Sequence, residues 1–215
     1  MKIAHVVSIA GLFFSGAAFC GGTDPDPQQL SVALTRYLAQ RGDFCLGKYD
    51  WPIDVAPSDV GHTRDAVQMP VLEKLGLVES VAATATRKVG ETEVTVEVSR
   101  YSLTDAGRKY FLERDIPSAS PVGTTVTRRG DLCAGKISLG RIVKWEPPAA
   151  ANVDKVIEVT ISYTYKFEAA LWARDPEIGK VFPMISRLLK GEGTMPLQQR
   201  MRLSDGGWGA INPWE

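Results

Sequence analysis

Apolar residues recur at helical spacing near the start of the chain and at strand spacing in its middle and second half. Leu30, Ala33, Leu34, Tyr37 and Leu38 return every three or four residues after an acidic, proline-containing lead, which predicts a helix over 28–41. A second helix is expected over 64–75, disturbed or started at Pro70 and stopped at Gly76. Val94, Val96 and Val98 then alternate with charged or hydroxyl residues, whereas Tyr101 and Leu103 take the opposite parity; a strand with a bulge near Ser99 and Arg100 follows. Thr104 is placed to cap a helix over 105–114. The cleanest alternation is Ile157, Val159, Ile161, Tyr163, Tyr165 and Phe167 against polar neighbours, the mark of a strand half buried and half solvated. Its expected hairpin partner is 136–145, turned through Pro147 and Pro148, and Asp175 with Pro176 opens a helix expected to reach about Lys190.

The first twenty residues obey a different logic. One lysine, Lys2, precedes an apolar run over 6–14 and an exit of small residues at Ser15, Gly16, Ala17 and Ala18, the pattern of a secretory signal peptide over 1–20. A nine-residue run falls short of the roughly 20 that a spanning helix requires. Cleavage after Ala17 and cleavage after Cys20 both meet the small-residue requirement. Lipidation of Cys20 ranks second, because Phe19 stands where bacterial lipoprotein signals carry a small residue. No later run is long and apolar enough to span a bilayer, so the mature protein is expected to be exported, periplasmic or secreted, with a lipid anchor as the second choice.

Export changes the meaning of the cysteines. With Cys20 removed or lipidated, Cys45 and Cys133 remain, and an isolated pair in an oxidising compartment tends to close. The alternative is two separately buried thiols. Self-similarity bears on the same pair: RGDFCLGK at 41–48 and RGDLCAGK at 129–136 share six of eight residues. MPVLEKL at 69–75 is similar to FPMISRL at 182–188, and RYSLTDAG at 100–107 to RMRLSDGG at 200–207, in the same order. A duplicated pair often packs about a pseudo-twofold axis, where a residue meets its own counterpart, and Cys45 and Cys133 are such counterparts.

LEKLGLVES, a strand and turn through RKVGE, a returning strand and RYSLTDAGRKYF make residues 63–113 resemble the second half of the winged-helix module of MarR- and PadR-type regulators. The resemblance implies a shape: Leu75 and Leu77 pack, Thr104 caps and Gly107 is small. In such regulators the helix before the wing enters the DNA major groove. Here that helix carries Asp65, Val67, Gln68 and Glu73, with Arg64 and Lys74 its only cations, so the shape carries over and nucleic-acid binding does not. The second half, DLCAGKISLGRIVKW through VTISYTYKFEAALWARDP to RLSDGGW, is similar to a pattern in exported bacterial proteins and implies no activity. The expected fold is therefore α+β: two diverged tandem repeats of a winged-helix-like unit, 21–117 and 118–215, with antiparallel β-hairpins and flanking helices.

Candidate chemistry is sparse. The 215-residue chain has 25 Lys plus Arg against 25 Asp plus Glu; removing 1–20, whose only such residue is Lys2, leaves 24 against 25. A near-neutral chain excludes nucleic-acid binding by bulk charge. Gly130, Gly135 and Lys136 stand at phosphate-loop spacing, as do Gly42, Gly47 and Lys48, but the following hydroxyl is replaced by Ile137 and Tyr49. The two Arg-Gly-Asp triplets would act in adhesion only with Asp43 and Asp131 exposed. His62, alone beyond the signal, has no partner at metal-ligand spacing, and no cofactor or metal is expected. Adjacent acids such as Asp50 with Asp54 read as loop and cap residues. Trp208 and Trp214, in a glycine-rich tail, either tuck back over the second repeat or contact a partner.

These readings lead to an exported cell-envelope protein that binds or assembles without catalysis. One alternative is a periplasmic hydrolase, which requires a polar cleft between the repeats with two acids about 5–10 Å apart. The other is a winged-helix DNA-binding regulator, which requires that the chain not be exported.

Overall fold

Asp26 accepts a hydrogen bond from the Gln28 N–H, and Pro27 supplies the first helical residue, so helix α1 (Pro27–Arg41) begins where the sequence places it. The computed structural model describes residues 25–120, 123–146 and 157–211. After α1 come β1 (Asp43–Cys45), β2 (Ile53–Val55), a 3-10 turn (Pro57–Asp59) and α2 (Arg64–Lys74). A hairpin follows, β3 (Val78–Val89) and β4 (Thr92–Leu103), then a single helical turn, α3 (Asp105–Arg108). The second half has β5 (Phe111–Ser120), β6 (Gly123–Glu146), β7 (Glu158–Ala169), α4 (Pro176–Val181), α5 (Pro183–Gly191), β8 (Leu197–Ser204) and β9 (Gly207–Ala210). The class is α+β with antiparallel sheets, as expected.

A three-stranded sheet has the order β2-β4-β3. A six-stranded sheet runs β1-β6-β7-β8-β9, with β5 paired to the first part of β6. Helix α1 crosses from the first half to pack on β6 and β9 of the larger sheet, and α2 packs on α4. One buried cluster runs through both halves, from Leu30 and Leu34 of α1 and Met69 and Leu72 of α2 to Tyr165, Ile185 and Trp208. The expected division at 117/118 falls inside β5, and the core does not divide there.

Several expectations are corrected. β4 pairs with β3 from Thr92 to Leu103 and with β2 at Ser99 to Tyr101 without a register shift, so the bulge at Ser99 and Arg100 is absent. The parity change instead records burial of opposite faces along one strand, Val98 on one and Tyr101 and Leu103 on the other. Thr104 does cap, accepting from the Gly107 N–H, yet α3 stops after Arg108 because Phe111 onward is drawn into pairing with β6. The helix expected over 175–190 breaks at Phe182, where Pro183 restarts it.

Strand β7 is half solvated only toward its end, where Lys166 and Glu168 are exposed; nearer its middle, Ser162 and Thr164 are nearly as buried as Ile161 and Tyr163. Gly140 leaves its space to Thr164, whose Oγ1 accepts from the Arg141 N–H at a break in register. Glu158 on the same polar face is covered by Arg200 and Arg202, and their hydrogen bonds hold its carboxyl below the usual range.

The tandem landmarks also part company. Residues 69–75 and 182–188 are both helical, whereas 100–107 ends β4 and opens α3 while 200–207 ends β8 and turns into β9. β2 pairs with the returning strand of its hairpin, β4, but β7 pairs with the outgoing strand, β8. The second half therefore does not repeat the strand order of the first.

Candidate functional site

The two cysteine-bearing motifs meet. β1 runs antiparallel to β6 with Asp43 opposite Lys136, Phe44 opposite Gly135 and Cys45 opposite Cys133, and the two sulfurs are bonded at 2.01 Å. Neither aspartate of the two triplets is a free surface group. Asp131 is buried and its carboxylate accepts from the Gly47 and Lys48 N–H groups at 2.7 and 2.9 Å. Burial raises the Asp131 carboxyl above its ordinary range, against the pull of these backbone donors. Asp43 pairs with Arg114 at 2.9 Å. The phosphate-loop spacing of the second copy lies along strand β6, which offers extended backbone in place of a loop.

Phe44, Cys45 and Leu46 form one wall of a groove of about 530 Å³ that opens between the two halves. Its other walls are the turn at 61–63, the exposed side of α2 at Val67, and the α4–α5 junction from Lys180 to Ile185. Gln68 holds these together: it is buried, and its Nε2 donates to the Val181 carbonyl at 3.0 Å, fastening α2 to the point where the later helix breaks. Thr63 caps α2 by accepting from the Ala66 N–H, and the N–H groups of His62 and Thr63 both donate to the Asp59 carbonyl. Phe44 meets Phe167 edge to face, with ring centres 6.1 Å apart, which ties the groove to the core of the large sheet.

The groove is apolar in its walls and cationic at its edge. Val67 and Met184 are about half exposed. His62, Arg64 and Lys180 stand at the rim, and no aspartate or glutamate is among the residues that line it. Of the nearest acids on the same elements, Asp65 pairs with Lys48 and Asp59 with Arg87, both away from the groove, whereas Glu177 pairs with Lys180 at the rim itself. The Arg87 hydrogen bond and then the Ala56 N–H hold the Asp59 carboxyl down at about 2.

Two other concavities lack this combination. A broader one of about 780 Å³ lies between the hairpin and the 3-10 turn, lined by small aliphatic side chains with Glu97 as its one charged group. A smaller one of about 290 Å³ lies on the other side of Cys45, between Asp43, Tyr49, Arg114, Arg129 and Asp131. The acid pair in this smaller pocket is already satisfied by Arg114 and by backbone N–H groups.

Of the residues singled out from the sequence, Cys45 lies in the wall of the groove and His62 on its rim, and Cys133 joins them through the disulfide. Trp208 is buried in the core beside α1, so of its two readings it tucks back, and the possible partner contact there is corrected. Cys20 and Trp214 lie outside the described residues. Phe44, Val181, Phe182 and Met184 were not singled out, and Val67 entered only as a position on the helix before the wing; Pro183 inside an apolar helical pattern was the signal available for the break between α4 and α5. Among the described residues no group of three His, Cys, Asp or Glu could hold a metal, and no helix is long and apolar enough to cross a membrane. No family model, curated protein or solved structure matches this chain.

Proposed function

We propose that this is an exported cell-envelope protein that binds a ligand or partner in the groove beside its disulfide and does so without catalysis. The observation that carries the reading is a groove with apolar walls, among which Val67 and Met184 are about half exposed, and with no carboxylate in its lining to act as acid or base. The hydrolase alternative calls for two acids across a cleft between the halves; the groove offers none, and the pair in the smaller pocket, Asp43 and Asp131, is engaged by Arg114 and by the Gly47 and Lys48 N–H groups. Export is supported by the signal-like pattern of 1–20 together with the Cys45–Cys133 bond, the kind of cross-link that persists in oxidising compartments.

The first half is read as a winged-helix-like unit. Support comes from the order α1, β2, 3-10 turn, α2, β3, β4, and from the pairing of β2 with β4. Its α2 offers DNA little: Val67 and Pro70 are exposed, Asp65 pairs with Lys48, and Glu73 accepts from the Ser80 N–H.

Mass spectrometry of the protein recovered from its own cells tests the proposal. A chain shortened by 17 or 20 residues, carrying extra mass under native conditions that leaves on denaturation, is the expected result. Turnover of ester, glycoside or peptide substrates by the purified protein, abolished by replacing an aspartate or glutamate, would overturn it.

A further inference from the structure

We propose that the groove binds a single-chain carboxylate amphiphile, a free fatty acid, with the acyl chain along Phe44, Val67, Phe182 and Met184 and the carboxylate at Arg64. The proposal rests on the binding function above and names its ligand. Three features select this chemistry. The volume of about 530 Å³ lies within the roughly 300–1,000 Å³ of small-molecule sites. The charge is one-sided: every ionisable lining residue is a histidine, arginine or lysine, and Arg64 makes no ion pair among the described residues. Lys180 is shared with Glu177, which leaves Arg64 as the main site for an anionic head.

The third feature separates an acyl chain from a peptide. The neutral polar side chains in the lining are Thr63 and Gln68; the hydroxyl oxygen of Thr63 accepts from Ala66 and the amide nitrogen of Gln68 donates to Val181. A peptide laid against these walls would bury its own N–H and C=O groups with few partners, a cost that an acyl chain does not incur. The backbone edge beside the groove is the three-residue β1, too short to hold an added strand along its length.

Titration calorimetry of the disulfide-bonded mature chain with dodecanoate and dodecyltrimethylammonium below their micelle concentrations, and with dodecanol below its solubility limit, decides the matter. Dodecanoate is expected to bind at least tenfold more tightly than the other two. Arg64→Gln should weaken dodecanoate about tenfold and leave dodecanol unchanged, and Met184→Asp should weaken both; these side chains are at the surface, and an unchanged melting temperature verifies that the variants fold. Equal affinity for the cationic and anionic amphiphiles, no effect of either variant, or no binding at millimolar dodecanoate would overturn the assignment. A non-amphiphilic molecule found on the native protein, with its retention lost in Met184→Asp, would overturn the fatty acid and leave the binding function standing, whereas substrate turnover would remove both.

Discussion

Residues 41–48 and 129–136 share six of eight side chains and have different structural fates. The first copy is the end of α1, a three-residue edge strand and a turn; the second lies inside the 24-residue strand β6, where it meets β5, β1 and β7 in succession. Asp43 reaches a partly exposed arginine, whereas Asp131 is buried and caps the turn of the other copy through Gly47 and Lys48. Lys48 pairs with Asp65 of α2, while Lys136 donates to the Ala39 carbonyl at the end of α1. Gly42 admits the Ile137 carbonyl of β6, and Gly130 admits the ring of Phe111. Identical residues thus serve as hinge and clamp because their neighbours differ, and the disulfide is the one feature both copies share.

The largest expected effect tests that shared feature. Replacing Cys45 and Cys133 together by alanine should cost about 4.5 kcal/mol on the chain-entropy account, since the bond closes a separation of 88 residues. Urea unfolding of the variant, against the oxidised parent, measures it; an unchanged midpoint would mean that the two copies are held by pairing alone.

The glycines come next. A Cβ at Gly42 would stand 2.2 Å from the Ile137 oxygen and 2.4 Å from the Leu38 oxygen, both backbone, while at Gly130 it would meet only the Phe111 side chain. Gly42→Ala should therefore cost about 3 kcal/mol or more and Gly130→Ala about 1–2, because a ring can turn aside and a paired strand cannot. Thermal unfolding of the two variants in parallel gives the order, and a reversed order would break the hinge-and-clamp distinction.

The aspartates should separate by less. Asp131→Ala leaves two N–H groups without their acceptor and should cost about 2–3 kcal/mol. Asp43→Ala gives up a partly exposed ion pair and should cost under about 1 kcal/mol. Equal losses in denaturant midpoint would show that burial of the second copy carries no energetic weight.

The smallest effect is a matter of pH. Asp131, raised by burial, should bind its proton above the ordinary aspartate range, so its ionisation costs stability as pH rises through its folded value. Asp59, held at about 2 by Arg87, has the opposite sign: its contribution is complete above the ordinary range and is lost as pH falls toward 2. Carboxyl-carbon NMR titration reads both, and Asp131 titrating below Asp59 would contradict the burial described for the second copy.

What was legible in the sequence was local. The period of Leu30 to Leu38, the acidic, proline-containing lead before it, the stop at Gly76 and the alternation of β7 each depend on residues within a turn or two of one another, and each element forms. What was misread depended on distant partners. Thr104 caps a helix, but Leu132 of β6, paired with Phe111, decides that the helix ends after one turn. The alternation along β7 reports a strand, but the surrounding structure decides that Glu158, Ser162 and Thr164 on its polar face are buried while Lys166 and Glu168 stay exposed.

Taken alone, the sequence determined where α1, α2 and α4 begin and that β7 is a strand, and it set Cys45 and Cys133 in matching motifs. Only the tertiary structure decided which copy of the repeated motif becomes an edge and which a core strand, and that the break at Phe182 brings Val181 and Met184 opposite Val67 and Phe44 to make a groove. The physical reason is range. Periodicity and capping act over a few residues, whereas burial and the convergence of a site are set by chain segments more than a hundred residues apart, as Gln68 and Val181 are.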